Sequence, residues 1–244
     1  MTVTKDLTGK VILVTGASRG IGYQAALEAG RRGAHVIAVA RTIGGLEDLD
    51  DAIKAVGSDT TLVPLDLRDG DGIDRLGAAI FERWGKLDGL IGNAGVLGIL
   101  TPMAHLDPKD FDQAFAVNVG ANYRLIRSLD LLLRQSEAGR AVFLSSDAAR
   151  GARPYWGLYA ATKAALETMV RSYAAELSLS RVKVNVFDPG KLRTALRAKA
   201  FPGEDSDKLP RPEVVAPSLI GMVTPSYTQT GMLVDFTTGE TRSL

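Results

Sequence analysis

The chain has 244 residues, 45% apolar and 23% charged, which suits a single α/β domain whose sheet is covered on both faces. Its 29 basic and 28 acidic residues leave a net charge of +1, so the electrostatic basis for a nucleic-acid or anionic-membrane partner is missing. There is no cysteine, which excludes a disulfide framework, a thiolate metal site and a cysteine nucleophile; His35 and His105 stand far apart without carboxylates at ligand spacing, so no metal site is expected.

No apolar run opens the sequence, and none approaches the roughly 18 residues of a membrane span. A cytoplasmic protein is expected. Short β-type runs alternate with longer helical ones. VILVT (11–15) reads as a buried strand and 21–32 as the helix after it. HVIAVA (35–40) is a second strand and 46–56 a second helix. TLVPLDL (61–67) is a strand whose Pro64 suggests an edge position. A helix over 73–84, a strand running into a loop over 87–95, a long helix over 111–135 and a strand over 140–145 follow. Then come a helix over 155–180, a strand over 182–187 and, after a mixed segment, a last strand over 231–236.

Continuous apolar strands indicate burial on both faces, and strand–helix alternation gives right-handed crossovers in a parallel sheet. The expected architecture is one doubly wound domain over 1–244, with a parallel seven-stranded sheet and helices on both faces. The irregular stretch 190–212 follows a strand's carboxyl end, where ligands sit in such sheets. A substrate loop is expected there; the alternative is an ordinary surface loop.

TGASRGIG (15–22) lies between the first strand and the first helix. Gly16, Gly20 and Gly22 let the backbone turn sharply and approach a ligand, and the helix N-terminus beyond them favours a pyrophosphate. The spacing is G-x-x-x-G-x-G rather than the G-x-G-x-x-G of the common fingerprint. At the end of the second strand, where an acid would accept from a ribose 2′-OH, the chain has Ala40 and Arg41. Arg41, with Arg19 in the glycine turn, would clamp a 2′-phosphate and favour NADP over NAD; otherwise both are solvated surface residues. Asp66 is placed to accept from an adenine amino group.

With a dinucleotide bound, the chemistry is hydride transfer, and a carbonyl gaining hydride needs a proton on its oxygen. A tyrosine serves only if its pKa of about 10 falls, which a nearby ammonium achieves. Of the six tyrosines only Tyr159 has a lysine, Lys163, four residues on and so on the same helix face. Tyr155 and Trp156 read as a pocket wall or as packing.

TGASRGIG, Asp66, NAG (93–95), Asn118, Ser146, Tyr159-x-x-x-Lys163 and PGKLRT (189–194), in this order, resemble the short-chain dehydrogenase/reductase family over nearly the whole chain. WGLYAATK, the 193–209 stretch and TGMLVDF further resemble its YciK-like bacterial branch, which carries no implied substrate. The resemblance implies that Ser146, thirteen residues before Tyr159, holds the substrate oxygen and that Tyr159 is the general acid/base. Lys163 would bond the nicotinamide ribose and lower the tyrosine pKa. Asn118 would distort its helix and hold a relay water. Cofactor contacts are implied at Gly16, Ser18, Arg19, Gly20, Ile21, Gly22, Arg41, Asp66 and Leu67. They continue at Asn93, Ala94 and Gly95 along the adenine ribose, and at Pro189, Gly190, Leu192 and Thr194 around the carboxamide. Two departures stand out: Gly92 where the family has a second Asn, and Asp188 before Pro189. The implied activity is NADP(H)-dependent transfer of hydride to or from a small carbonyl or secondary alcohol. A catalytically silent NADP-sensing module of the same fold is the alternative. A homodimer or homotetramer built on the helices at 111–135 and 155–180 is expected. The pocket is expected at Val96, Leu97, Tyr155, Trp156 and 190–212, near Arg150, Arg153 and Arg193.

Overall fold

The computed structural model describes residues 4–244. Its first strands and helices are β1 (Val11–Thr15), α1 (Gly20–Arg31), β2 (His35–Ala40), α2 (Ile43–Ala55), β3 (Thr60–Pro64) and α3 (Gly70–Trp84). Next come β4 (Gly89–Gly92), α4 (Pro108–Phe115), α5 (Ala121–Gln135) and β5 (Arg140–Leu144). Then follow α6 (Gly157–Glu176), β6 (Lys183–Asp188), α7 (Ala195–Ala200), α8 (Ala216–Gly221), β7 (Met232–Asp235) and β8 (Thr241–Ser243).

The strands form one sheet in the order β3-β2-β1-β4-β5-β6-β7-β8. β1 to β7 pair in parallel, and β8 joins β7 antiparallel. The expected seven-stranded parallel sheet is thus corrected to eight strands. The extra strand is three exposed polar residues, Thr241 to Ser243, too short to show an alternating pattern. β3 is the edge strand, as Pro64 suggested.

Strand order reverses between β1 and β4, which opens a crevice beyond their carboxyl ends. Every residue of β1, β4 and β5 is buried, because both faces are covered. One apolar core packs α3, α5 and α6 on one face, through Ile80, Leu129 and Val170 among others. The other packs α1, α2 and α8 on the opposite face, through Ala26, Leu49 and Leu219. Local chemistry marks the helix ends. Asp69 caps α3 by accepting from Gly72 N at 2.9 Å, and Gly85 ends it in the left-handed region at φ 67°. Asp107 caps α4, with Pro108 in its first turn.

The helix expected over 111–135 is interrupted. Ala116–Gly120 form a single π-helical turn between α4 and α5, with Asn118 buried at its centre. The stretch 195–221, read as mixed, holds α7 and α8, each of six residues and too short for a periodic signal.

Candidate active site

Both flanks of the switch-point crevice meet at Thr15. Its hydroxyl donates to Ile91 O (3.2 Å) and accepts from the backbone N–H of Asn93 and of Ala94, each at 3.0 Å. The Asn93 side-chain amide donates to Thr15 O (2.8 Å). The Asn93 side chain thus braces the glycine turn. Thr15, a hub of this junction, went unnoticed in the sequence, where it reads as the last residue of a strand.

The turn itself is a cradle. Gly16 and Gly20 sit at φ +67° and +60°, conformations that L side chains rarely adopt. A Cβ on Gly22 would stand 2.3 Å from Gly16 O. Arg19 precedes α1 without a side-chain cap, which leaves the N–H groups of the first turn, Gly20 and Ile21 among them, without a side-chain acceptor. This geometry fits a pyrophosphate. Arg19 and Arg41 are exposed, and neither forms an ion pair among the described residues. Asp66 is engaged: Arg68 Nε donates to its Oδ1 at 3.1 Å and Arg68 Nη2 to its Oδ2 at 2.6 Å. Hydrogen bonding from Arg68 holds its carboxyl below the usual value, with Arg41 a smaller contributor. Leu67 beside it is buried.

The second half of the site hangs on α6. Tyr159 and Lys163 lie one turn apart and are both buried, at 6% and 4% exposure. The Lys163 Nζ donates to Leu144 O at 2.8 Å and stands 5.8 Å from the Tyr159 ring centre. Ser146 follows β5, caps a short 3-10 turn (Asp147–Ala149) by accepting from Ala148 N at 3.2 Å, and donates to Asp147 Oδ1 at 3.1 Å. Ser145 faces elsewhere and donates to Glu167 Oε1 at 2.6 Å.

Asn118 is fully committed. Its Oδ1 accepts from Val96 N (2.8 Å), and its Nδ2 donates to Val96 O and Thr162 Oγ1, both at 2.9 Å. The side chain stitches the π-helical turn to the loop after β4 and to α6. A Cβ on Gly95 would stand 3.3 Å from Asn118 Oδ1 and 3.6 Å from Lys163 Nζ, so the loop backbone passes directly over both.

The electrostatics differ from expectation. Burial pushes the Tyr159 phenol above its ordinary value; the carboxylates of Asp188 and Asp147 add to this, and Ser146 opposes it. Lys163 is not among the groups that shift the phenol in the ligand-free protein; its ammonium donates to Leu144 O. Lys163 itself is brought down to about 8 by burial, with Asp188 and Glu167 resisting.

The loop after β6 completes the crevice. Pro189 and Leu192 are buried, and Gly190 sits at φ +70° with Thr237 Oγ1 only 2.0 Å from where a Cβ would be. Thr194 caps α7, and its methyl lies 3.9 Å from a Cβ built on Gly20, which brings this loop over the glycine turn. An open cavity of about 540 Å³ beside it is lined by Arg153, Tyr155, Trp156, Lys191, Arg197 and Phe201. Trp156 packs edge-on to Tyr159 and against Phe201, with ring centres 6.0 and 5.5 Å apart. Tyr155 holds a left-handed backbone, φ 71°, and its carbonyl accepts from Thr101 N at 3.2 Å. Of the pocket residues expected, Tyr155, Trp156 and the loop line this cavity. Leu97 instead packs beneath Tyr159 with Ala148. Arg193 lines a second cavity together with Thr194, Ala198 and Leu209, and Arg150 turns inward.

A parallel sheet with a glycine turn at its switch point defines a dinucleotide-binding type of α/β protein. The family model for short chain dehydrogenases matches residues 10–205, and the chain belongs to that family of oxidoreductases. The Escherichia coli K12 oxidoreductase YciK is 39% identical over 233 residues, covering 94% of this chain and 92% of that one. Trihydroxynaphthalene reductase of Colletotrichum orbiculare is 34% identical over 192 residues, covering 78% and 67%. A short chain dehydrogenase from Escherichia coli CFT073, solved in complex with NADPH, superposes with a TM-score of 0.90 at 39% identity, covering 95% of this chain and 98% of that one. No helix of the described residues is long and apolar enough to cross a membrane.

Proposed function

We propose that the chain is an NADP(H)-dependent reductase or dehydrogenase of small carbonyls and secondary alcohols. One observation carries this reading: Tyr159 and Lys163 share a buried face of α6 beside Ser146, at the mouth of a crevice that opens on the glycine turn. NADPH, when bound, supplies the hydride, and NADP accepts it in reverse. Ser146 holds the substrate oxygen. Tyr159 donates its proton to that oxygen in reduction and withdraws it in oxidation. Lys163 binds the nicotinamide ribose and restores the proton from the side of Asn118. Arg41 and Arg19 take the 2′-phosphate, and Asp66 takes the adenine amino group once Arg68 releases it.

The NADPH complex of the similar Escherichia coli protein supports the choice of cofactor. The reductase name of the fungal relative, together with Trp156 and Phe201 at the cavity, supports a flat conjugated carbonyl as substrate. The chain would act in the cytoplasm as one domain, in a homodimer or homotetramer. Exposed Tyr123 and Leu131 on α5 support that assembly, although Leu129 and Leu132 of α5 and Leu166 and Val170 of α6 are spent on the core.

The test is Tyr159→Phe, assayed by NADPH consumption against aromatic ketones and quinones and by NADPH binding. Turnover is expected to vanish while binding persists. Equal turnover by the variant rejects the reading. A wild type that binds NADPH but reduces nothing, with Tyr159→Phe indistinguishable from it, favours the sensing module.

A further inference from the structure

Three arginines flank the catalytic segment, and one behaves unlike the others. Arg153 pairs with exposed Asp147 and lies over the Trp156 ring, 5.5 Å from its centre. Arg193 pairs with Asp207 at the surface. Arg150 reaches inward. Its Nη1 donates to Glu167 Oε1, and its Nη2 donates to Asp188 Oδ2 at 2.5 Å.

Both partners belong to elements that build the site. Glu167 lies four residues after Lys163, so Tyr159, Lys163 and Glu167 succeed one another along α6 at one-turn intervals. Its Oε1 also accepts from Ser145, the residue before Ser146. Asp188 ends β6 and is 2% exposed. Its second oxygen, Oδ1, accepts from Gly190 N at 3.1 Å, inside the turn that faces the nicotinamide end of the crevice. The guanidinium therefore ties the helix bearing Tyr159 and Lys163 to the Pro189–Gly190 turn. Only a planar fork satisfies two carboxylates at once in fixed directions; an ammonium offers a point charge.

We propose that Arg150 is a positioning residue for the cofactor: through Glu167 and Asp188 it locks the Pro189–Gly190 turn against α6 and so fixes the nicotinamide half of the binding site. The inference rests on the reading that the chain binds NADP(H). It also accounts for Asp188, the acid standing where the family pattern has a small or amide side chain. Asp188 gives Arg150 a charged partner while it holds Gly190.

The experiment compares two probes by calorimetry. NADP spans the whole crevice; adenosine 2′,5′-bisphosphate fills only the adenine half. Arg150→Met and Asp188→Asn are expected to weaken NADP about tenfold or more while leaving the bisphosphate within about twofold. Arg150→Lys is expected to recover part of the loss. Glu167→Gln, which keeps an oxygen for Ser145 and Arg150 but removes the charge, is the second variant should Arg150→Met fold poorly, and it is expected to shift the same ratio in the same direction by a smaller factor. An unchanged NADP affinity, or equal weakening of both probes, overturns the proposal. A wild type that binds the bisphosphate no better than a surface anion overturns the cofactor reading itself, whatever the variants do.

Discussion

Asn122 fills the space that a side chain at position 92 would need. A Cβ on Gly92 would stand 2.7 Å from Asn122 Oδ1 and 2.4 Å from the Phe143 ring. Asn122 Nδ2 meanwhile donates to Asn118 O at 2.9 Å, inside the π-helical turn. The amide absent from position 92 is thus answered from α5, which reaches the same site from the other side.

Gly92→Ala is expected to cost about 1–3 kcal/mol, the usual range for overpacking a close-packed interior. Adding Asn122→Ala should recover only part of this, since Phe143 remains in the way. A double-mutant cycle by urea unfolding checks it. Additive losses would mean that the two positions do not share space.

Asn118 is expected to matter to stability as well as turnover. Asn118→Ala removes three hydrogen bonds at a fully buried position and strands the Val96 N–H. A loss of about 2–4 kcal/mol follows from net hydrogen-bond values and the cost of an unpaired buried group. A variant that melts like the wild type would show that the π-helical turn holds itself without this side chain.

How much of this was legible in the sequence varies by element. β1, β2 and β5 announced themselves because a strand buried on both faces is continuously apolar. β8 did not, because Thr241, Arg242 and Ser243 carry no such signal. That Tyr159 and Lys163 share a helix face was readable from their spacing. The upward shift of the phenol was not, since it depends on burial and on Asp188, a residue 29 positions away that only the sheet brings near. Likewise, nothing in the sequence separates Arg150, which turns inward, from Arg153 and Arg193, which do not. The apolar pattern over 111–135 read as one long helix, and only the family resemblance placed a distortion at Asn118, where the π-helical turn lies.

Arg41 follows the last residue of β2, is exposed, and has no carboxylate partner among the described residues. A charge-assisted bond to a 2′-phosphate contributes about 1.5–3 kcal/mol, or roughly 10- to 150-fold in affinity. Arg41→Ala should weaken NADPH by about that factor and leave NADH nearly unchanged. Side-by-side titrations decide it, and the wild-type preference should shrink with added salt. Equal affinities in the wild type would make Arg41 a surface residue.

Lys163 makes stability depend on pH in a definite direction. Its folded-state pKa, brought down to about 8 by burial, lies below the ordinary 10.5. Below pH 8 both folded and unfolded chains hold the proton, and the fold bears the full penalty of a buried ammonium, about 3 kcal/mol at 1.36 kcal/mol per unit. Between about 8 and 10.5 the unfolded chain binds more protons, so stability rises with pH and the penalty disappears. Lys163→Met removes this contribution. It also loses the bond to Leu144 O, a cost of about 1 kcal/mol that does not vary with pH in this window. The ligand-free variant should therefore be more stable than the wild type at pH 7, with an advantage that narrows and reverses as pH climbs toward 10. Urea unfolding of both proteins at pH 7, 8, 9 and 10 gives the difference directly. A difference that stays constant across this range would mean that the buried lysine keeps its ordinary pKa.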